Sequence, residues 1–418
     1  MRKVVEYLRK KNNLTIEDLV VEICCSTMYY KYLSGEKNMS EKNLTLIKER
    51  LGADIITKEE IEEFKIELNK IIHKLIRYYN SRKEFEEDFL SLLEIEPQLL
   101  LNDELIISYG IIKLNYYLVN SSINEGIIFS EILEDYYDKM SIQEKAFFLH
   151  LKIFFKNYQK LPIKEDNDKL QLLLDNNRYL KDFGYFYMSL VYNYLKLKDR
   201  VKALLSIEVA LELFQRDMNF VGLVKAYNMK AFMLGEDCKF DLALELLLPN
   251  YENAKKVATN FEVFVSLTNI ISCYLGLEDK KNARKYWKTF KKRLDQKNGD
   301  VIIKGVLNNS SVNLLTNFEY YSMNKELDEL IEMLEIYKVR GNHVIDKLVE
   351  YYKINNTDER IAFIEKNLLP TLVGKVHFTY CKWMLDMCII YFRKNRKYKK
   401  ATLFETEYLK QFKEYYFN

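Results

Sequence analysis

Too few prolines and glycines interrupt this sequence for anything but long helices: 4 Pro and 12 Gly are spread over 418 residues. Sandwiches and barrels need frequent Gly/Pro turns, so long helices are favoured over a β architecture and an all-α fold is expected. From about Lys58 onward, apolar residues keep helical spacing through segments of roughly 14 to 18 residues, each broken by a short polar turn. The breaks fall near Asn80, Asn120, Lys160, Asp199, Asp237, Asp279, Asn324, Asn355 and Asn395. Taken in pairs the segments recur every 34 to 42 residues or so, which predicts about nine helix pairs stacked into a solenoid.

Charge and motifs narrow the function. Lys and Arg number 64 against 61 Asp and Glu, a formal net charge of +3, so any site for nucleic acid must be local. The cysteines Cys24, Cys25, Cys238, Cys273, Cys381 and Cys388 form no CxxC pair and read as reduced thiols. No signal-like segment opens the chain, and no uncharged apolar run approaches the ~18 residues of a membrane span, so a cytoplasmic protein without membrane contact is expected. A phosphate loop, an HxxxH pair and a nucleophile elbow are all missing, and His73, His150, His343 and His377 are isolated in sequence. These absences predict neither an enzyme nor a cofactor or metal site. Two basic clusters, Lys280 to Arg293 and Arg393 to Lys400, could attract phosphate or simply be solvated helix faces.

Residues 1–56 read as four short helices. Val4, Val5 and Leu8 form an apolar stripe ending at Lys11-Asn12-Asn13. Thr15 is placed to cap the second helix, with Asp18 at the reciprocal capping-box position and Leu19 and Ile23 inward. A third helix after Cys24 carries Tyr29, Tyr32 and Leu33 on one side and stops at Gly35. Ser40 caps a fourth, with Leu44, Ile47 and Leu51 inward and Gly52 at its end. Two helices of about eight residues joined by a tight turn, inside a small bundle, can present one helix to a DNA major groove.

The run Leu14-Thr15-Ile16-Glu17-Asp18-Leu19, with Tyr29, Tyr32, Leu33-Ser34-Gly35, Ser40, Leu44, Ile47 and Leu51-Gly52, resembles the repressor-type helix-turn-helix of bacterial and phage regulators. The resemblance implies DNA contact by Ser26, Thr27, Met28, Tyr30 and Lys31 at the exposed start of the third helix, joined by Lys37. Cys24 and Cys25 stand where that family has Gly-x-Ser, and the helix offers no Arg, Gln or Asn for bidentate base contacts. Ten Lys/Arg face eight Asp/Glu in the module, a modest phosphate-binding footprint. A docking bundle that touches only protein is the other reading of the same residues.

The clearest repeat runs Ala226-Tyr227-Asn228, Ala231-Phe232, Gly235, Phe240 and Ala243. Small residues at Ala231 and Ala243 let paired helices approach, while Phe232 and Phe240 fill the space between repeats. Weaker copies run from Ser189 through Ala203 to Ala210 and from Asn269 through Gly276 to Ala283 and Trp287, and over 180–296 these resemble tetratricopeptide repeats. That likeness implies a right-handed tetratricopeptide-like α-solenoid whose first helices line a concave side. Asn228 and Asn269 would there grip a peptide backbone, with Asn193, Asn309 and Asn313 on the same kind of helix. Simple solvation accounts equally for an Asn in a chain this rich in them. The last pair, Trp383 to Tyr416, ends Tyr415-Tyr416-Phe417, apolar where a terminal repeat is usually polar, which suggests burial against another subunit or an earlier repeat.

The whole arrangement resembles the RRNPP group of peptide-sensing regulators of Gram-positive bacteria and their phages, which includes the arbitrium receptors, in a long form. Its expected organisation is a DNA-binding domain over 1–56, a connecting helix over 57–80, and a repeat domain for peptide binding and dimerisation over 81–418. The resemblance implies a homodimeric transcription regulator that binds a double-stranded DNA operator under control of a short signalling peptide, as in quorum sensing or phage communication. A protein-interaction scaffold or response-regulator antagonist without DNA binding is the alternative.

Overall fold

The computed structural model describes residues 1–54, 56–77, 82–120, 122–257, 260–294, 300–339, 343–372 and 378–416. Every regular element among them is helical, as the scarcity of breakers requires. They fall into two compact units, Met1–Asn193 and Tyr194–Asn418. His377 lies outside the described residues, as do the side chains of Cys381 and of the aromatic end Tyr415-Tyr416-Phe417.

The first unit opens with α1 (Arg2–Lys11), α2 (Ile16–Val20), α3 (Ser26–Ser34) and α4 (Glu41–Arg50). Val4, Val5, Leu8, Leu19, Tyr29 and Ile47 are buried at their centre. The local signals act as expected. Thr15 and Asp18 close a capping box on α2, Ser40 accepts from the Asn43 N–H, and Gly35 and Gly52 are left-handed at φ +84° and +89°. Between α2 and α3 the chain reverses on Glu22, which holds φ +63° without being glycine. The Arg50 guanidinium steadies that turn by donating to the carbonyls of Asp18, Leu19 and Val21, the last at 2.6 Å. A left-handed L-residue costs about 1–2 kcal/mol, and glycine returns part of that as chain entropy. Glu22→Gly is therefore expected to stabilise the protein by about 0.5–1 kcal/mol, read as a rise in urea midpoint.

Next come α5 (Lys58–Ile76), α6 (Arg82–Leu93), α7 (Glu96–Leu100), α8 (Ile106–Val119), α9 (Ile123–Glu134), α10 (Ile142–Tyr158), α11 (Lys164–Asn176), α12 (Arg178–Lys181) and α13 (Gly184–Lys196), which the unit boundary crosses. Compactness thus divides the chain well beyond residue 57, because the N-terminal bundle is built into the helices that follow. Lys3 pairs with Asp135 at 2.7 Å, Lys48 donates to the Leu101 carbonyl at 2.7 Å, and the Tyr7 and Tyr117 hydroxyls bond at 3.0 Å. Lys113 and Glu96, each 2 % exposed, form an interior ion pair, and the second Glu96 oxygen takes Lys11 from α1. The Lys113 ammonium also lies 4.6 Å from the Tyr7 ring centre and 4.9 Å from that of Phe129.

The second unit continues with α14 (Arg200–Arg216), α15 (Phe220–Glu236), α16 (Phe240–Val257), α17 (Asn260–Gly276), α18 (Lys280–Leu294), α19 (Asp300–Tyr320) and α20 (Asn324–Ile336). It closes with α21 (His343–Tyr352), α22 (Thr357–Phe363), a π turn at Ile364–Leu368, α23 (Leu369–Leu372), α24 (Phe378–Lys394) and α25 (Tyr398–Tyr416). Helices pack as neighbours within pairs, α15 on α16 and α17 on α18, while α15, α17 and α19 also pack in succession. Small residues permit this. A Cβ on Gly276 would lie 2.5 Å from the Phe240 ring, and Ala231, Ala243 and Ala283 are fully buried.

The helix breaks share one chemistry that residue type conceals. Lys198, Met218, Cys238, Glu278 and Ser322 are all left-handed. In each case the following N–H reaches back five residues, as from Asp199 to the Tyr194 carbonyl, Asn219 to Phe214 and Asp279 to Tyr274, all at 2.8 Å. Asp199, Asn219 and Asp279 then cap the next helix through their side chains, so one residue ends a helix and starts another.

Candidate functional site

The asparagines expected to face a ligand occupy different positions. Asn228, on α15, is 4 % exposed. Its Nδ2 donates to the Glu262 carbonyl at 3.3 Å, its Oδ1 accepts from Asn250 Nδ2 at 3.1 Å and from Ser266 Oγ at 2.8 Å, and its own carbonyl accepts from Asn269 Nδ2 at 3.2 Å. The Asn228 amide therefore ties α15 to α16 and α17, and its backbone orients Asn269. Asn309 lies on the exposed side of α19, and Asn193 is buried in the first unit, its Nδ2 without a hydrogen-bond partner among the described residues.

Asn269 and Asn313 line a cavity of about 320 Å³ inside the second unit. Asn269 is 9 % exposed, and with Nδ2 fixed on Asn228 its Oδ1 has no protein donor among the described residues. Asn313 Oδ1 accepts from Ser272 Oγ at 2.6 Å and from Asn317 Nδ2 at 2.5 Å, which leaves its own Nδ2 without an acceptor among the described residues. One acceptor and one donor thus stand open on successive first helices, the pair of functions that a peptide unit complements.

Aromatic side chains from five helices complete the wall: Phe232, Phe240, Tyr320, Trp383, Tyr408 and Phe412, with Tyr321 following α19. Burial pushes the Tyr321 hydroxyl up to about 12, so it stays a protonated donor at neutral pH. The Cys273 thiol in the same wall is also pushed up to about 12 by burial, which removes it as a nucleophile. Ser272, Asn317, Lys382 and the tyrosines were not singled out in sequence. Ser272 and Asn317 lie three and four residues beyond Asn269 and Asn313 and so share their helix faces, a signal that was available.

In the first unit most cations of residues 1–56 are engaged internally: Arg2 with Asn38, Arg9 and Lys10 with Glu6, Lys11 with Glu96, and Arg50 with carbonyls of the α2 end. Lys31, Lys37 and Lys42 are exposed and make no ion pair among the described residues; Lys31 lies on α3, Lys37 three residues after it, and Lys42 in the first turn of α4. Thr27 and Tyr30, the latter 56 % exposed, are open on the same helix, while Ser26 and Met28 are half-buried. Glu36 and Glu41 are exposed as well. The isolated histidines lie apart from these residues: His73 and His343 are exposed, and His150, bonded to Ser189 at 2.6 Å, is lowered to about 4 by desolvation and so is neutral at pH 7.

Neither a protein-family model nor a curated protein matches the chain. Solved structures do. A Rap protein complexed with Competence and Sporulation Factor superposes with a TM-score of 0.63 at 16 % identity, covering 85 % of this chain and 99 % of that one. The chain has the Rap and NprR fold. NprR in complex with its cognate peptide NprX gives 0.58 at 17 % identity, over 83 % of this chain and 99 % of NprR. Aspartyl phosphate phosphatase F from Bacillus subtilis gives 0.51 at 15 %, over 86 % and 95 %. On this fold, tetratricopeptide-like helix pairs follow a short helical bundle, and among the described residues no helix is long and apolar enough to cross a membrane.

Proposed function

We propose that the chain is a DNA-binding transcription regulator controlled by a short signalling peptide, which lies in the cavity of the second unit. It works without catalysis in the cytoplasm, as a homodimer on a double-stranded operator. The observation that carries the reading is the open Asn269 acceptor and open Asn313 donor in a cavity walled by aromatic rings. Such a site holds a peptide main chain while its rings sort side chains. The peptide complex of NprR supports the same ligand class. Asn228 acts beneath the site as a positioning residue.

For DNA, support comes from the exposed Lys31 and Lys37 on and just after α3, with Thr27 and Tyr30 open on the same helix. Lysines without bidentate partners hold phosphates and leave sequence reading to few contacts. Anisotropy on a fluorescent duplex of mixed sequence tests this. Lys31→Ala and Lys37→Ala are each expected to flatten the slope of log affinity against log salt by about 0.9, one phosphate apiece. An unchanged slope rejects DNA contact at α3 and favours the second reading, a scaffold or response-regulator antagonist. That reading draws on the lack of Arg, Gln and Asn in α3 and on the shared fold of phosphatase F. Coupling is tested by adding a bound peptide to the DNA titration; a peptide that leaves DNA affinity unchanged rejects it.

A further inference from the structure

We propose that Lys382 and Trp383 hold the free C-terminal carboxylate of the peptide, so that its chain end lies at α24 and its main chain crosses α19 and α17. The inference rests on the peptide reading above and assigns the polarity of the bound ligand.

Three observations lead to it. Among the described residues the cavity lining carries one cation, Lys382, and it makes neither a hydrogen bond nor an ion pair there. The adjacent Trp383 is 4 % exposed, lines the same cavity, and its Nε1 has no hydrogen-bond acceptor among the described residues. Buried donors in native proteins find partners, so an indole N–H without one, in the wall of a cavity that an unpaired ammonium also lines, suits an acceptor-only anion. Asp386, one turn along α24, is within electrostatic reach of Lys382 without forming an ion pair with it.

The charge count selects the anion. A single lining cation, accompanied by Glu236 in the same wall, suits a monoanion and not a phosphate dianion. A carboxylate has two acceptor oxygens, one for the ammonium and one for the indole N–H. Tyr408 and Phe412 beside them favour an apolar or aromatic final residue.

Two synthetic pools of random hexapeptides, both N-acetylated, one ending in carboxylate and the other in carboxamide, are passed over the immobilised full-length chain and the retained peptides quantified by mass spectrometry. The wild type is expected to retain the carboxylate pool about tenfold better than the carboxamide pool. Lys382→Met and Lys382→Gln should each bring that preference to within about twofold at an unchanged melting temperature, and Trp383→Phe should lose part of it. Equal retention of both pools by the wild type, or a preference that survives both Lys382 variants, overturns the assignment and leaves the peptide reading standing. Retention of neither pool overturns the peptide reading and this inference together.

Discussion

Lys113→Ala is expected to destabilise the first unit by about 3–5 kcal/mol, the cost of leaving one member of a buried ion pair alone. Its partner Glu96 is 2 % exposed, and the remaining cation, Lys11, is itself 45 % exposed in its side chain and belongs to another helix. The alanine also removes an ammonium seated among the rings of Tyr7, Tyr109, Tyr117 and Phe129, where an apolar void would remain. Urea unfolding followed by tyrosine fluorescence measures the loss. The double variant Lys113→Met with Glu96→Leu should recover most of it, because apolar side chains of similar volume satisfy the same space without desolvated charge. The pair thus acts chiefly to fix α1, and with it the N-terminal bundle, in one orientation; a double variant as unstable as the single one would refute that account.

Asn228→Ala comes next, at about 2–3 kcal/mol. The substitution deletes one donated and two accepted side-chain bonds among α15, α16 and α17. The loss is bounded because two of the partners keep another bond: Asn250 Nδ2 still reaches the Val224 carbonyl at 3.1 Å and Ser266 Oγ the Glu262 carbonyl at 3.1 Å. At about 1 kcal/mol net per bond the sum reaches the stated range. Differential scanning calorimetry of the full chain should show a lowered transition, and Asn228→Asp, which keeps the acceptors and loses the donor, should fall between. A transition unmoved by Asn228→Ala would show that the three helices are held by packing alone.

The helices and their pairing could be read from the sequence because each rests on a strong local rule: few breakers, apolar residues at helical spacing, and small residues such as Gly276 and Ala243 at the close approaches. The capping residues Thr15 and Ser40 were readable for the same reason. The turns were visible as polar breaks, yet their shared left-handed residue was not, since Lys198, Met218, Cys238, Glu278 and Ser322 have nothing in common as side chains. The site was half readable. Helical position places Asn228, Asn269 and Asn313 on first helices, but which amide is consumed by protein depends on Asn250 and Ser266, which come from other helices. Lys382 and Trp383 escaped for a different reason: they join the cavity only through tertiary packing of α24, over 100 residues from Asn269. The docking of the N-terminal bundle on Glu96 and Lys113 is likewise a long-range contact that no local pattern announces.

Titration calorimetry of a peptide recovered from the retained pool, injected into the wild type and into the Asn269→Ala variant, tests the central claim that the second unit is a peptide receptor built around its open amides. The account predicts one saturable site in the wild type and, in a variant whose melting temperature falls only by the one lost bond to the Asn228 carbonyl, an affinity lower by about tenfold. Equal affinity in both proteins would contradict it.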